Sequence, residues 1–531
     1  MDTDSFLMVG RMSIEKDDFY MWETELGQWQ KEMPAFAKYR QEFNRIHQLR
    51  NVLGLLHWDM EVTLPADGQA ERGEQIGNLA GITHESFTSD RFKSLVEKAK
   101  EENEKKSFPG SEIRNKELEV LQKDLDRAYR LPASWVEEFT KVSSNAHSIW
   151  AEARNKNDAS SFLPVLERIL GLVFQKTEYL GYDTEPYDAL LEEYEPGARA
   201  KDLDALFGEL RSSLVPLIQK GKDVSSPFHG NFPKENQIPF NKSLPVLLGL
   251  SKSMHRLDSS EHPFSTSLGS KDKRITTRYD ESDPISSVFS VLHETGHAMY
   301  EAGISEMGGS PSPIKDSVSL GVHESQSRLW ENQVGRSKEF WEAIYPNFLT
   351  ATNLSEKSLP FSRLFSYVNK SVPSLIRVEA DQLTYNLHII LRFRIETALF
   401  RKEINIKDIS SIWKVEMREL LGVTVPDDSQ GFLQDVHWSG GAFGYFPTYT
   451  LGNIFAAQLF SAFLKQSPEF TNQLKSSNAS LLVSWLRENV HSKGRLLTVN
   501  ELIEKATGEK PSSKYLVEYL SNKIKEQDEL K

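Results

Sequence analysis

His293-Glu294-Thr295-Gly296-His297 constrains this chain more than any other stretch. Two imidazoles four positions apart share a face only on an α-helix, where side chains return to one side every 3.6 residues. From such a face both rings can hold one metal ion. The carboxylate beside the first ring is then placed as a general base rather than a ligand. The segment must therefore be helical, and the fold must bring another ligand back to it. The flanks agree. Asp283 is a natural N-cap, and Pro284 suits the first helical position, where a missing N–H matters little. Ile285, Val288, Phe289, Leu292 and Met299 recur at mostly three- and four-residue steps, with Gly303 as the expected stop. The competing explanation is a chance match, with both histidines near the core and hydrogen-bonded to backbone.

A catalytic zinc site needs a third protein ligand and one position left for water. The chain has no cysteine, which excludes disulfides and thiolate chemistry and leaves His, Asp, Glu or Asn as ligands. His323-Glu324-Ser325-Gln326 follows a connection rich in Gly, Pro and Ser, on a return helix expected to begin near Asp316 or Ser317. Adjacent helical residues diverge by about 100°, so only one of His323 and Glu324 can face the metal. Glu324 is the expected ligand, and His323 a supporting or substrate contact. The further histidine of the metzincin spacing is missing.

Helical periodicity dominates elsewhere. Residues 36–57, 86–106, 111–130, 201–221, 378–401 and 455–466 are expected to be amphipathic helices, while 225–239 and 424–444 have loop composition. The best strand signal is Arg274–Tyr279, just before the motif helix. An extended peptide could pair with such a strand, or the strand could simply cover the core. With 531 residues a large core is affordable. Residues 1–35 are expected to be an extension, and 36–531 a single helical domain.

A net charge of -13 argues against a nucleic-acid partner, because phosphate binding needs a basic face. No apolar run reaches the roughly 18 residues of a membrane span. The N-terminus is acidic where a signal peptide is basic, so a cytoplasmic address is expected.

Further motifs occur in a telling order. Asp272-Lys273-Arg274-Ile275-Thr276 precedes the motif helix, and Ile376-Arg377-Val378-Glu379-Ala380-Asp381 follows the return helix. Gly431-Phe432-Leu433-Gln434-Asp435-Val436-His437-Trp438 comes next, with Gly444-Tyr445-Phe446-Pro447 behind it. Together with His293–His297 and His323–Gln326, these segments resemble the carboxypeptidase Taq family of zinc metallocarboxypeptidases. The family's D-x-R-x-T, I-R-x-x-A-D and G-x-x-Q-D-x-H-W patterns are matched. Trp58-Asp59 with Pro65 and Arg72, and Tyr187–Leu191, look familial as well.

The resemblance implies a mainly α, two-lobed body with a deep substrate groove and a small β-sheet near the zinc helix. This is similar in outline to the neurolysin and angiotensin-converting-enzyme peptidases. It also implies stepwise removal of C-terminal residues with broad preference, zinc or sometimes cobalt, and a homodimer.

The residues suggest their own division of labour. With zinc on His293, His297 and Glu324, Glu294 is expected to take a proton from water and return it to the departing amine. His437 and Tyr445 lie in a glycine-rich loop and are candidate transition-state donors. His437 could instead be a satisfied loop histidine beside Asp435. A free α-carboxylate suits the planar fork of arginine, for which Arg377 is the first candidate and Arg274 the second. Each has a structural alternative: Arg274 with Asp272, and Arg377 with Asp381 one turn on.

An enzyme cutting internal bonds of short peptides remains the alternative activity. An aminopeptidase would need a G-x-M-E-N-like segment, which is missing. A catalytically silent scaffold would be expected to have lost Glu294 or a ligand.

Overall fold

The structure, a computed structural model, describes residues 30–106 and 110–529. An N-terminal run of helices comprises α1 (Pro34–Val62), α2 (Gln69–Thr88), α3 (Asp90–Lys105), α4 (Ser111–Arg130), α5 (Ala133–Lys156) and α6 (Ala159–Leu180). Then come α7 (Pro186–Tyr194), α8 (Ala200–Ile218), α9 (Lys234–Leu247) and the strands β1 (His255–Ser259), β2 (Ser265–Gly269) and β3 (Asp272–Thr277). The motif helix is α10 (Pro284–Ser305) and the return helix α11 (Leu320–Arg328). The C-terminal half holds α12 (Lys338–Thr352), α13 (Phe361–Val368), α14 (Tyr385–Phe400), α15 (Ile409–Leu421) and α16 (Pro447–Gln466). It ends with α17 (Phe470–Leu474), α18 (Ser480–Asn489), α19 (Val499–Thr507) and α20 (Lys514–Glu529). The fold is mainly α with one small sheet, as expected.

Apolar side chains bury in two clusters. The smaller joins Phe36, Tyr39 and Ile46 of α1 to Phe92 and Val96 of α3 and Leu121 of α4. The larger runs from Ile113 and Val120 of α4 to α20 and encloses α10, α14 and α16. These three helices are buried on nearly every face, with polar side chains such as Arg392 and Glu396 of α14 among the apolar ones. The α10–α11 connection spans the two clusters. Arg40 of α1 donates to Pro311 O at 3.0 Å and pairs with buried Glu117 at 2.7 Å, while Arg495 N donates to Ile314 O at 2.8 Å.

Several expectations need correction. The 86–106 helix is two helices, because Ser89 is extended and its hydroxyl accepts from Phe92 N at 3.1 Å, capping α3. The loop expected over 225–239 stops at Pro233, where α9 starts and carries Pro239 and Pro245 inside it. The 378–401 helix begins only at Tyr385. Asp381 takes the backbone N–H groups of Leu383 and Thr384 at 2.8 and 3.2 Å, a local turn that competes with helix until those donors are satisfied. The motif helix passes Gly303 to end at Ser305, and α11 starts three residues later than Ser317, with Ser319 as its cap.

β3 is the centre of the sheet, parallel to β1 and antiparallel to β2. Its hydrogen-bonding edges are therefore taken, so a peptide does not pair with it in place of β1 or β2; the strand ends at Thr277, before Arg278 and Tyr279. Of the expected extension, residues 1–29 lie outside the described residues. Met33 is fully buried, and Ala35 N and Phe36 N both donate to Glu102 at 2.9 Å.

Candidate active site

Asp283 and Pro284 start α10 as the sequence suggests, the Asp283 carboxylate accepting from Ile285 N at 3.3 Å. One turn apart, the His293 and His297 rings lie 4.9 Å from each other. α11 returns Glu324 to them, with Oε2 3.6 Å from His293 Nε2 and 3.4 Å from His297 Nε2. Tetrahedral coordination with bonds of about 2.0–2.1 Å sets donor atoms about 3.3 Å apart. The spacing and the His/His/carboxylate donor set therefore fit a zinc-type ion, and among the described residues only this group does so.

Glycines allow this closeness. A Cβ on Gly296, between the two histidines, would lie 2.5 Å from Gln326 O and 2.6 Å from Ser327 Cα. A Cβ on Gly452 of α16 would lie 2.5 Å from Glu324 Cγ. Three helix backbones thus converge on the ligand set where side chains are missing. At the start of α11, buried Glu195 accepts from Gly321 N, holding the helix end that leads to Glu324.

A second layer orients the candidate ligands. His293 Nδ1 lies 2.8 Å from Glu331 Oε2, which turns the ring's Nε2 toward the metal position. Arg328 donates Nε to Glu324 Oε1 at 2.6 Å and Nη1 to Glu331 Oε2 at 3.1 Å, leaving Glu324 Oε2 to face the histidines. Glu331 reaches His293 from a π-helical turn, Leu329–Val334, whose extra residue shifts the face presented to α10. Sequence reasoning missed Glu331; the only signal was a carboxylate two turns beyond Glu324. His323 does not face the ligand set directly. It bonds Glu301 at 3.0 Å and stacks on His297 with centroids 4.4 Å apart, a supporting place.

Burial and charge set the protonation states. Burial would lower His293, but Glu324, Glu331 and Glu294 lift it to about 9. Burial and the neighbouring His323 push His297 down to about 3. Burial raises the Glu294 carboxyl to about 7, the range suited to exchanging protons near neutrality.

The other candidates divide between two places, the Asp435 cluster and the sheet. Arg377 gives Nε and Nη2 to Asp435 at 2.9 and 2.8 Å and Nη1 to Tyr385 OH at 3.0 Å. Its partner is thus Asp435 and not Asp381, whose oxygens are spent on the turn before α14. Arg392 also donates to Asp435, at 2.6 Å from Nε, so two guanidiniums share one carboxylate. The Arg328 guanidinium lies 4.5 Å over the Tyr385 ring, linking this cluster to Glu324. His437 packs on Tyr445 at 5.4 Å and lies 3.3 Å from Tyr449 OH. Its Nδ1 is 3.9 Å from Asp435, too long for a hydrogen bond. Burial lowers His437 to about 4, making it a neutral imidazole. Arg274 lies on the sheet, paired with Asp272 at 2.5 and 2.9 Å and 4.6 Å over the Trp58 ring.

The carboxypeptidase Taq (M32) metallopeptidase model matches residues 38–524. The chain belongs to this family. It is 39% identical over 494 residues to carboxypeptidase 1 of Bacillus subtilis (strain 168), covering 91% of this chain and 98% of that one. It is 38% identical over 509 residues to thermostable carboxypeptidase 1 of Pyrococcus furiosus, covering 92% and 97%. Among solved structures, the M32 carboxypeptidase from Deinococcus radiodurans R1 superposes with a TM-score of 0.89 at 35% identity, covering 93% of this chain and 99% of that one. Metallocarboxypeptidase 1 of Trypanosoma cruzi gives 0.86 at 31% identity, covering 93% and 99%. As an M32 family member the chain is a metallocarboxypeptidase, a peptide hydrolase acting on C-termini, and the internal-cutting alternative is not favoured. No helix among the described residues is long and apolar enough to cross a membrane.

Proposed function

We propose that this M32 metallopeptidase uses zinc, with cobalt as a substitute, to release C-terminal residues of broad type from peptides. The observation that carries the reading is the convergence of His293 Nε2, His297 Nε2 and Glu324 Oε2 beside the buried Glu294 carboxylate. When bound there, the ion supplies a Lewis acid that makes water nucleophilic near neutral pH and polarises the scissile carbonyl. Glu294 takes the proton of the attacking water and delivers it to the leaving nitrogen. His437 and Tyr445 donate hydrogen bonds to the charge that develops on the carbonyl oxygen.

Arg377 attracts the substrate's α-carboxylate mainly by charge, because Asp435 offsets only one of the Arg377 and Arg392 cations. Arg274, whose Nε and Nη2 sit on Asp272, is the second contact, and His323 supports the metal side. The family resemblance extends the proposal to a cytoplasmic homodimer, with peptides bearing a free C-terminus as partners.

Purified enzyme is incubated with unblocked and C-terminally amidated copies of one peptide, and masses are followed over time. The expected result is a C-terminal ladder that amidation suppresses. Internal fragments from both copies would replace this reading with an oligopeptidase. Glu294→Gln should keep stoichiometric metal and lose at least about 100-fold in kcat; normal turnover by that variant would overturn the proton-transfer role.

A further inference from the structure

Glu396 is fully buried on α14, one turn beyond Arg392. Its carboxylate accepts three hydrogen bonds, all from neutral donors: Tyr187 OH at 2.6 Å, Trp438 Nε1 at 2.6 Å and Gly444 N at 2.9 Å. Two of the three belong to the loop between α15 and α16. One turn back on the same helix, Arg392 holds Asp435 of that loop. Each fixed point adjoins a candidate donor. His437 lies between Asp435 and Trp438, and Tyr445 follows Gly444.

The loop has little freedom left between these points. Gly441 and Gly444 both have positive φ, at 68° and 85°, and a Cβ on Gly444 would lie 2.9 Å from Leu190 Cβ. Trp438 stacks on Phe443 with rings 5.9 Å apart and 10° from parallel. Burial raises the Glu396 carboxyl to about 7, so an ionised group here works against stability. An apolar side chain of similar size would fill the space without that penalty, but it would leave three donors unmet.

We propose that Glu396 is a positioning residue that holds the 435–446 loop so that His437 and Tyr445 face the metal site. This rests on the catalytic reading of those two residues given above. Glu396 touches neither substrate nor metal; it acts through the backbone at Gly444 and the indole of Trp438.

The test compares Glu396→Gln, His437→Ala, Tyr445→Phe, the Tyr445→Phe/His437→Ala double variant and the triple variant in the metal-loaded enzyme. An amide in place of the carboxylate sets an N–H donor against another donor, so the loop shifts. Glu396→Gln should lose roughly 10- to 100-fold in kcat, with KM within about twofold and full metal content. In the Tyr445→Phe/His437→Ala background the same change should cost no more than about twofold, because the groups it positions are gone. An equal kcat loss in both backgrounds, or wild-type kcat in Glu396→Gln, overturns the proposal alone. Wild-type kcat in both His437→Ala and Tyr445→Phe overturns the catalytic reading, and this proposal with it. Should Glu396→Gln not fold, Tyr187→Phe removes one donor and leaves the other two. A kcat loss of about threefold or more that vanishes in the Tyr445→Phe/His437→Ala background supports the role, and wild-type kcat overturns it.

Discussion

Gly296→Ala tests whether helix spacing sets the metal site. Ordinary contact begins near 3.4 Å, and the added Cβ would lie 2.5 Å from Gln326 O, so α10 and α11 must part by about 0.9 Å there. The obstacles are backbone atoms, Gln326 O and Ser327 Cα, which cannot swing aside as a side chain would. Glu324 lies two residues before Gln326 on the same short helix and moves with it. Metal coordination tolerates only about 0.2 Å in ligand distance, so a shift several times larger loosens one of three ligands. We expect metal affinity to fall by at least about tenfold, or roughly 1.4 kcal/mol. Stability of the metal-free protein changes less, because overpacking of about 1–3 kcal/mol is partly offset by the roughly 1 kcal/mol helix preference of Ala over Gly. Competition with a chelating indicator measures the first quantity, and urea unfolding of metal-free protein the second. Gly171→Ala is the control, since nothing lies within 4 Å of its added Cβ. Wild-type metal affinity in Gly296→Ala would refute the argument.

Two further predictions concern the surroundings of the ligands. Glu331→Gln keeps the shape but removes the carboxylate on His293 Nδ1, so metal affinity should drop roughly 10- to 100-fold while the free protein stays folded; a chelator titration reads it. His491 is buried, bonded through Nε2 to Gln326 Oε1 at 3.0 Å, and pushed down to about 3 by burial and then by Arg487. The unfolded chain takes up this proton near pH 6.5 while the folded one does not, so this group's contribution to stability is lost as pH falls below that value. Between pH 7 and 5 the metal-free wild type should lose more stability than His491→Asn, by up to about 2 kcal/mol, read from denaturant midpoints. Equal losses would show that His491 takes up its proton in the folded state.

Those perturbations mark where sequence reasoning was strong and where it stopped. The motif helix, its Asp283–Pro284 start, the convergence of the candidate ligand trio and the Asp272–Arg274 pair depend on residues within a turn or two, or on a short return path, and all could be read from spacing. Arg377 shows the limit. Its partner by helical spacing was Asp381, yet Asp381 terminates the turn before α14 and Asp435, 58 positions on, takes the guanidinium. Pro239 and Pro245 hid α9, because proline's local preference against helix was overridden by packing. β3 had strand composition, but its place between β1 and β2 is a matter of pairing that one strand cannot reveal.

By itself, the sequence determined the motif helix, the His293, His297 and Glu324 trio as candidate metal holders and the family, since these follow from side-chain chemistry at fixed short intervals. Only the tertiary structure decided which carboxylate orients His293, which residue neutralises Arg377 and what anchors the loop of His437 and Tyr445. Glu331, Asp435 and Glu396 are ordinary acidic residues in the linear chain. They acquire roles because a π-turn, a shared guanidinium pair and a buried helix face bring them within 3 Å of donors far away in sequence.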